Sequence, residues 1–386
     1  MRCILLSCFV AVGYARVRML RKFVFSLILT ALLVVAFEIG SAFFLYHAHQ
    51  DRLAARSPDA PHWSATVGAI QTGLQTLLPE RFPDAQRSRR MERLPAGFFS
   101  PDEAQGYRAN PGRYVFRYSA LRGGKREHVD TEVTINADGT RFTGTAPAEP
   151  RRRIFVLGDS FMFGDGVNDG QTLGFLLQAA FPMDAVHVHA LGGWSWPNAL
   201  VTLRQLQEKV RPGDVVVLGY AFYYKERHVA APARLRSIRD WMASSFPDVV
   251  LDPRDRLLRA RLDSEGKLTL EPIAMHCKFA PENCTAPEPT LEYSDRVSKA
   301  LLQAIATATP AQVKLVHLFG PANDAVLAGL PANVELIRAR PEDFSYAMRD
   351  DVMGFDDHGG PYWHHAIYTK VKRAIGGSTQ DQTTSP

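Results

Sequence analysis

Ser160 lies in residues 151–170, RRRIFVLGDSFMFGDGVNDG, where the side chains could support two different reactions. In the first, the Ser160 hydroxyl follows an apolar run and is the nucleophile of an acyl transfer. In the second, the carboxylates of Asp165 and Asp169 in a glycine-rich loop bind a metal ion for phosphoryl transfer. Both cannot be the active site, so the rest of the sequence must discriminate between them.

The metal-dependent alternative needs a second segment, INADGTRF at residues 135–142, which resembles the first motif of aspartate-nucleophile phosphatases. Asn136 stands at the nucleophile position, and an amide cannot form an aspartyl-phosphate. Only about 25 residues separate the two segments, too few for the doubly wound domain that must lie between them. A hairpin turn at Asp138 and Gly139 and a glycine-rich loop at Gly164 explain both segments.

Nucleotide-binding signatures are missing around Ser160 as well. Gly164, Gly166 and Gly170 lack the G-x-G-x-x-G spacing, and no Gly-Lys-Ser or Gly-Lys-Thr follows for a phosphate loop. Met162 replaces the second glycine of the G-x-S-x-G turn found in α/β-hydrolases. We therefore expect no cofactor and no metal ion.

A general base and an orienting acid for Ser160 occur near the C-terminus, in GFDDHGGPYWHHAIYTKVKRAI. Asp356 precedes His358 by two residues, and a helical pattern follows from about Trp363. Asp357 is adjacent and remains an alternative for the orienting role.

In their order along the chain, these features resemble the SGNH (GDSL-like) hydrolase superfamily. The resemblance covers about residues 150–375, from GDSFMFGDGV to the final helix, and His364 matches a later histidine often found there. It implies that Ser160 is the nucleophile, that His358 takes the serine proton and returns it to the leaving alcohol, and that Asp356 fixes the imidazole tautomer. It also implies an α/β fold with a flavodoxin-like, doubly wound, five-stranded parallel sheet.

The same resemblance implies an oxyanion hole formed by the backbone N–H groups of Ser160 and Gly193, the latter in LGGWSWPNAL. A tight turn into the next helix would explain Gly193 equally well. The family's third block usually supplies an Asn side chain, but GYAFYYKERHV contains none. Tyr224, Lys225 or Arg227 could replace it, and each could equally be a solvated loop residue. With this departure, the chain resembles a variant, membrane-anchored periplasmic branch of the family, whose members carry an N-terminal anchor and a small β module.

Aromatic residues near the expected site suit stacking on sugar rings, although such residues also serve as core packing. They are Trp194, Trp196, Tyr223 and Tyr224. Among the residues of this region, Trp194, Tyr224 and Arg227 are the candidate substrate contacts.

The order of the elements agrees with this fold. Apolar runs typical of buried parallel strands, RIFVLG, AVHVHAL, DVVVLGYA, VKLVHLF and VELIRA, alternate with helical patterns. The predicted divisions are a cytoplasmic N-terminus at 1–22, an anchor at 23–46, a spacer at 47–95, a small β module at 96–147, an α/β domain at 150–376 with an insert at about 230–285, and a disordered tail at 377–386.

The anchor prediction rests on FVFSLILTALLVVAFEIGSAFFLY, an apolar stretch interrupted only by Glu38 and long enough to cross a hydrocarbon core of about 30 Å. The following FFLYHAHQ offers no signal-peptide cleavage site. Basic residues within 16–22 precede the stretch, so the positive-inside rule predicts a single-pass protein of the inner membrane with its catalytic domain on the periplasmic side. Met19 is an alternative start.

Cys277 and Cys284, in HCKFAPENC, are the only cysteines after the predicted anchor. Outside the cytoplasm, two cysteines at this spacing in a proline-containing loop predict a disulfide. His276 leaves a metal site conceivable, but four tetrahedral ligands are not evident.

The leading hypothesis is a membrane-anchored serine hydrolase that removes an acyl group from a cell-envelope carbohydrate. An O-acyltransferase acting on an envelope polysaccharide would use the same triad. A non-catalytic protein that binds a glycan or assembles a complex remains the third possibility. The net charge of +5 is scattered rather than concentrated, so a nucleic-acid partner is not expected, and protein partners are not predicted.

Overall fold

The computed structural model describes residues 90–122, 125–245, 251–321, 323–338 and 358–376. The strands are β1 Arg90–Leu94, β2 Phe99–Asp102, β3 Gly106–Ala109, β4 Gly112–Arg122, β5 Lys125–Ile135, β6 Arg153–Gly158, β7 Ala185–Ala190, β8 Val215–Ala221, β9 Arg256–Leu262, β10 Leu268–Ala274, β11 Gln312–Phe319 and β12 Val334–Arg338. The helices are α1 Ser160–Phe163, α2 Leu173–Ala180, α3 Trp196–Gln205, α4 Tyr224–His228, α5 Pro232–Ser245, α6 Pro281–Thr285, α7 Leu291–Thr307 and α8 Pro361–Gly376. Two short 3-10 helices cover Asp169–Gln171 and Ala325–Leu327.

The central sheet contains five parallel strands in the order β12-β11-β8-β6-β7. Numbered along the chain, this is the 2-1-3-4-5 order of flavodoxin-like sheets, so the predicted sheet is confirmed. Every residue of β8 is buried, because the sheet is covered on both faces. Since all five strands run the same way, the segments that follow β6, β7 and β8 meet at one edge.

The helices cover the two faces of the sheet in separate pairs. Helix α3 contacts α7, and α2 contacts α8. Helix α7 buries Val297, Leu301 and Ile305, whose spacing of four residues places them on one side of the helix. On the other face, Gly174 of α2 lies so close to β7 that a Cβ there would be 2.4 Å from the Val188 side chain.

The antiparallel strands before the central sheet are linked to its β7 edge by the segment after β5. Strands β1, β4 and β5 form one sheet, and β2 pairs with β3 in a hairpin. Strand β1 begins at Arg90, before the predicted start of the β module at residue 96, because it pairs with β4. The backbone N–H of Arg141 donates to the carbonyl oxygen of Val188 on β7 at 3.2 Å.

The segment between β8 and the crossover helix α7 contains α5, the β9–β10 hairpin and α6. Cys277 and Cys284 are joined there by a disulfide with a Cα–Cα distance of 5.7 Å. The His276 ring lies 3.1 Å from a carboxylate oxygen of Asp255, so this histidine has a side-chain partner in the hairpin.

The predicted anchor at 23–46 and the predicted tail at 377–386 lie outside the described residues. Among the residues that are described, no helix is both long and apolar enough to cross a membrane.

Candidate active site

Ser160 is the first residue of α1, directly after the turn that ends β6. Asp159 caps this helix, because its side chain accepts a hydrogen bond from the Phe161 N–H at 3.0 Å. Gly158 is required by packing, since a Cβ there would lie 2.5 Å from the Met162 side chain. The serine is 5% exposed, at the carboxyl edge of the sheet where the sequence predicted it.

The Asp159 carboxylate is held by two side chains of the segment after β8. It is fully buried and accepts from the Tyr223 hydroxyl and from the Arg227 guanidinium, each at 2.9 Å. The Arg227 guanidinium also lies 4.5 Å from the centre of the Tyr223 ring. Burial raises the pKa of Tyr223 well above 10, so its hydroxyl remains a donor. This network fixes the turn that carries Ser160.

The three residues considered as replacements for the family's oxyanion Asn are committed to contacts within the protein. The Tyr224 hydroxyl accepts from the Asp159 N–H at 3.2 Å, and its ring is fully buried in the core. Lys225 forms ion pairs with Asp295 at 2.7 Å and Asp324 at 2.9 Å. Arg227 pairs with Asp159. Tyr224 and Arg227 therefore support the turn that carries Ser160, whereas Lys225 is held by carboxylates of α7 and of the segment after β11.

The glycine-rich loop after α1 is organised by Arg141, which the sequence analysis did not single out. Its guanidinium is completely buried and donates to the carbonyl oxygens of Phe163 at 3.1 Å, Gly164 at 2.6 Å and Val167 at 2.9 Å. These carbonyls face inward because the loop turns around the guanidinium. This role depends on contacts between residues 22 to 26 positions apart, so no local sequence pattern marks it.

The two carboxylates of that loop occupy different environments. Asp169 accepts from the Thr134 backbone N–H at 3.0 Å and pairs with Arg141 at 3.4 Å. Asp165 is buried, and its own N–H donates to the Ser160 carbonyl oxygen at 2.9 Å. Asp169 thus ties β5 to the loop. The Asp138–Gly139 segment forms the predicted turn, with the Gly139 N–H donating to Asn136 at 3.0 Å.

The loop after β7, residues 191–195, approaches Ser160 from the neighbouring strand. A Cβ on Gly192 would lie 3.9 Å from the Ser160 Cβ, so this glycine is in contact distance of the serine. Gly193 has a φ of +87°, the left-handed conformation that favours glycine. Gly192 went unnoticed in the sequence because Gly193 matched the family pattern.

Three of the five backbone N–H groups in residues 191–195 have acceptors within the described chain. The Leu191 N–H donates to Gly158, the Trp194 N–H donates back to Leu191, and the Ser195 N–H donates to the Asn198 side chain. Among the described residues, no acceptor binds the N–H of Gly192 or Gly193, or that of Ser160. Buried backbone donors normally have partners. Unpartnered donors beside a serine are what an oxyanion hole requires.

His358 belongs to an aromatic cluster around Phe161. Its ring centre is 5.0 Å from that of Phe161, the residue after Ser160, and Phe161 also contacts Phe319 at 4.9 Å and Trp363 at 5.4 Å. Trp363, near the start of α8, is the buried member of this cluster. Asp356 and Asp357 lie outside the described residues.

His364, one residue further along α8 than Trp363, is buried and uncharged. Neither of its ring nitrogens has a hydrogen-bond partner among the described residues. Burial, with the nearby charges of Arg141 and His358, lowers its pKa to about 3. A neutral imidazole enclosed in this way is part of the core.

A cleft of about 570 Å³ lies beside β7 and is lined in part by Leu191 and Trp194 of the loop at residues 191–195. Its floor includes His187 and His189, whose rings stack on Phe155 at 5.6 Å and 6.4 Å. Trp194, 9% exposed, lines the end of the cleft nearest the loop. Its indole N–H has no acceptor among the described residues. The cleft combines aromatic surface with available polar groups.

No protein-family model matches the chain, and no curated protein matches it. Among solved structures, it is similar to the psychrotrophic esterase EstA from Pseudoalteromonas sp. inhibited by monoethylphosphonate, with 14% identity over 58% of this chain and 100% of that one and a TM-score of 0.32. It is also similar to a GDSL-like protein from Bacteroides ovatus (12% identity, 76% and 74% of the two chains, TM-score 0.26). A third is the salicylyl-acyltransferase SsfX3 from a tetracycline biosynthetic pathway (16% identity, 75% and 80%, TM-score 0.27). Because these TM-scores are below 0.5, the alignments assign neither family nor activity.

Proposed function

We propose that the protein is an SGNH-type serine hydrolase that cleaves ester bonds. The Ser160 Oγ attacks the ester carbonyl carbon while His358 takes the hydroxyl proton, and Asp356 orients the imidazole. The tetrahedral intermediate collapses to an acyl-serine, and His358 returns the proton to the departing alcohol. Water, activated by the same histidine, then releases the acid and regenerates the serine.

One observation carries this proposal: three backbone N–H groups at Ser160 and in the neighbouring loop have no acceptor among the described residues. Those of Ser160, Gly192 and Gly193 are unpartnered within the described chain, and the Gly192 Cβ position is 3.9 Å from the Ser160 Cβ. Such donors are arranged before the reaction and gain a partner only when negative charge develops on the ester oxygen. They offer a physical substitute for the Asn that the third block lacks.

We further propose an acylated carbohydrate as substrate. The cleft beside β7 offers Trp194 and the stacked imidazoles to sugar rings, and Arg108 and Lys209 on its walls supply cationic hydrogen-bond donors. The apolar stretch at residues 23–46 supports an anchored protein whose catalytic domain faces the cell envelope. Deacylation of an envelope polysaccharide fits both features.

The test is turnover of p-nitrophenyl acetate and of acetylated xylo-oligosaccharides by the full chain. Ser160→Ala and His358→Ala should abolish acetate release, and a free sugar acceptor in the assay should not become acetylated. Acetylation of the acceptor would identify a transferase instead. Asp356→Asn should reduce the rate by about 10⁴ if it orients the imidazole, with Asp357→Asn as the matched control. A Ser160→Ala protein with full activity contradicts the proposal.

A further inference from the structure

Tyr107, on the β2–β3 hairpin, reaches the loop that carries the unpartnered donors. Its hydroxyl donates to the Gly192 carbonyl oxygen at 2.7 Å, although the two residues are 85 positions apart. The side chain is 7% exposed, so little water competes for this bond. Burial raises the pKa of Tyr107 far above that of free tyrosine, which keeps the hydroxyl protonated as a donor.

The geometry of the peptide group gives this bond its importance. The Gly192 carbonyl and the Gly193 N–H belong to one planar trans peptide, in which they point in opposite directions. A hydroxyl that holds the carbonyl oxygen therefore also sets the direction of the Gly193 N–H. A Cβ on Gly193 would lie 2.7 Å from the Tyr107 hydroxyl oxygen, so a larger residue there would displace the tyrosine.

A second contact holds the same loop from the opposite end. The Arg227 guanidinium donates to the Trp194 carbonyl oxygen at 3.3 Å and to the Asp159 carboxylate at 2.9 Å. Because Asp159 precedes Ser160, Arg227 links the loop to the turn that carries the nucleophile. Tyr107 and Arg227 thus hold carbonyls on both sides of Gly193 and leave its N–H without an acceptor in the described chain.

We propose that Tyr107 is a positioning residue of the oxyanion hole, acting through the Gly192–Gly193 peptide. This inference rests on the proposed ester hydrolysis and extends it to the β2–β3 hairpin, which becomes part of the catalytic apparatus. The hydroxyl touches neither substrate nor acyl group. It holds the peptide so that its N–H meets the negative oxygen of the tetrahedral intermediate without rearrangement.

Tyr107→Phe removes the hydroxyl and keeps the ring. Complete loss of an oxyanion donor costs about 10²–10³ in rate, and a donor that is present but unaligned should cost less, about 10-fold to 100-fold in kcat. KM should stay within about twofold, because the lost interaction forms only with the transition state. The Ki of a boronic acid that forms a tetrahedral adduct with Ser160 should rise by a similar factor.

Tyr114→Phe is the matched control. Tyr114 is also 7% exposed, and its hydroxyl donates to another backbone carbonyl, that of Asn110, at 3.1 Å in the same β module. Both variants lose one buried hydrogen bond of this kind, so urea unfolding should shift by similar amounts. Only Tyr107→Phe should lower kcat.

The wild-type chain is first treated with a fluorophosphonate, which separates the two ways of failing. If the wild type neither reacts nor hydrolyses esters, the proposed function fails, and the role of Tyr107 fails with it. If the wild type reacts at Ser160 but Tyr107→Phe keeps the wild-type kcat and boronate affinity, the positioning role alone is wrong. Equal losses of kcat in Tyr107→Phe and Tyr114→Phe also overturn it, because they indicate general destabilisation.

Discussion

Replacing Arg141 by alanine should strongly lower the free energy of unfolding of the protein. The guanidinium is fully buried, binds three backbone carbonyls of the loop after α1, and pairs with Asp169. Removal leaves these acceptors and a carboxylate without their donor. Breaking a buried charged network in this way costs about 3–5 kcal/mol, a large part of the stability of an ordinary domain.

The control is Arg117→Ala in the same β module. Arg117 also forms a two-pronged ion pair, with Asp130 at 2.9 Å and 2.8 Å, but its side chain is 37% exposed. Such a pair contributes about 0–1 kcal/mol. Arg141→Lys should give an intermediate loss, because an ammonium group keeps the charge but cannot span carbonyls on two sides of the loop.

Urea unfolding followed by tryptophan fluorescence measures the difference. With a slope of about 3 kcal/mol/M, Arg141→Ala should lower the midpoint by about 1–2 M and Arg117→Ala by less than about 0.3 M. Equal midpoints for the two variants would refute the assignment of Arg141 as the organiser of the loop. The same holds if Arg141→Lys unfolds like the wild type.

Three further outcomes follow from the structure. Cys277→Ser should lower the free energy of unfolding by about 2 kcal/mol, because it removes the disulfide. Unreduced wild-type protein should yield a linked peptide by mass spectrometry, and free thiols in that sample contradict the bridge. His364 has a folded pKa of about 3 against about 6.5 when unfolded, so the stability that depends on its neutral form is complete above pH 6.5 and is lost as the pH falls toward 3. His364→Leu should therefore reduce the slope of unfolding free energy against pH by about 1.4 kcal/mol per pH unit between pH 4 and 6. An unchanged slope contradicts this. Gly192→Ala should slow ester turnover, because its Cβ would lie 3.2 Å from a carboxylate oxygen of Asp165 and the loop beside Ser160 would have to shift. Gly170→Ala, with nothing within 4 Å, should not, and equal rates would contradict the close approach.

The central sheet was predictable because its signal is local. Runs such as RIFVLG and DVVVLGYA are buried on both faces, and burial of a whole strand leaves a continuous apolar pattern. The positions of Ser160 and of the loop containing Gly193 follow from the rule that parallel strands end at one edge. The start of β1 at Arg90 was not predicted, because it depends on pairing with β4, a distant segment of the chain.

The supporting residues of the site were beyond sequence analysis for a physical reason. Arg141 and Tyr107 act through backbone carbonyls, and a carbonyl leaves no trace in the residue types around it. Lys225 and Arg227 were considered as replacements for the missing Asn, but their type and position could not reveal that their charges are paired with Asp324 and Asp159. A charged residue in a predicted loop therefore does not by itself indicate a substrate contact. Its burial and its ion pairs decide whether it is available to bind a substrate.

Peptide mapping after fluorophosphonate treatment of the full-length protein tests the central claim most directly. The adduct should form on Ser160, disappear in Ser160→Ala, and fall sharply in His358→Ala, since without a base the hydroxyl is a poor nucleophile at neutral pH. Asp169→Asn keeps an oxygen acceptor for the Thr134 N–H and should retain most of the adduct. An adduct on another residue, an undiminished adduct in folded His358→Ala, or its loss in folded Asp169→Asn would contradict a Ser160 nucleophile served by His358.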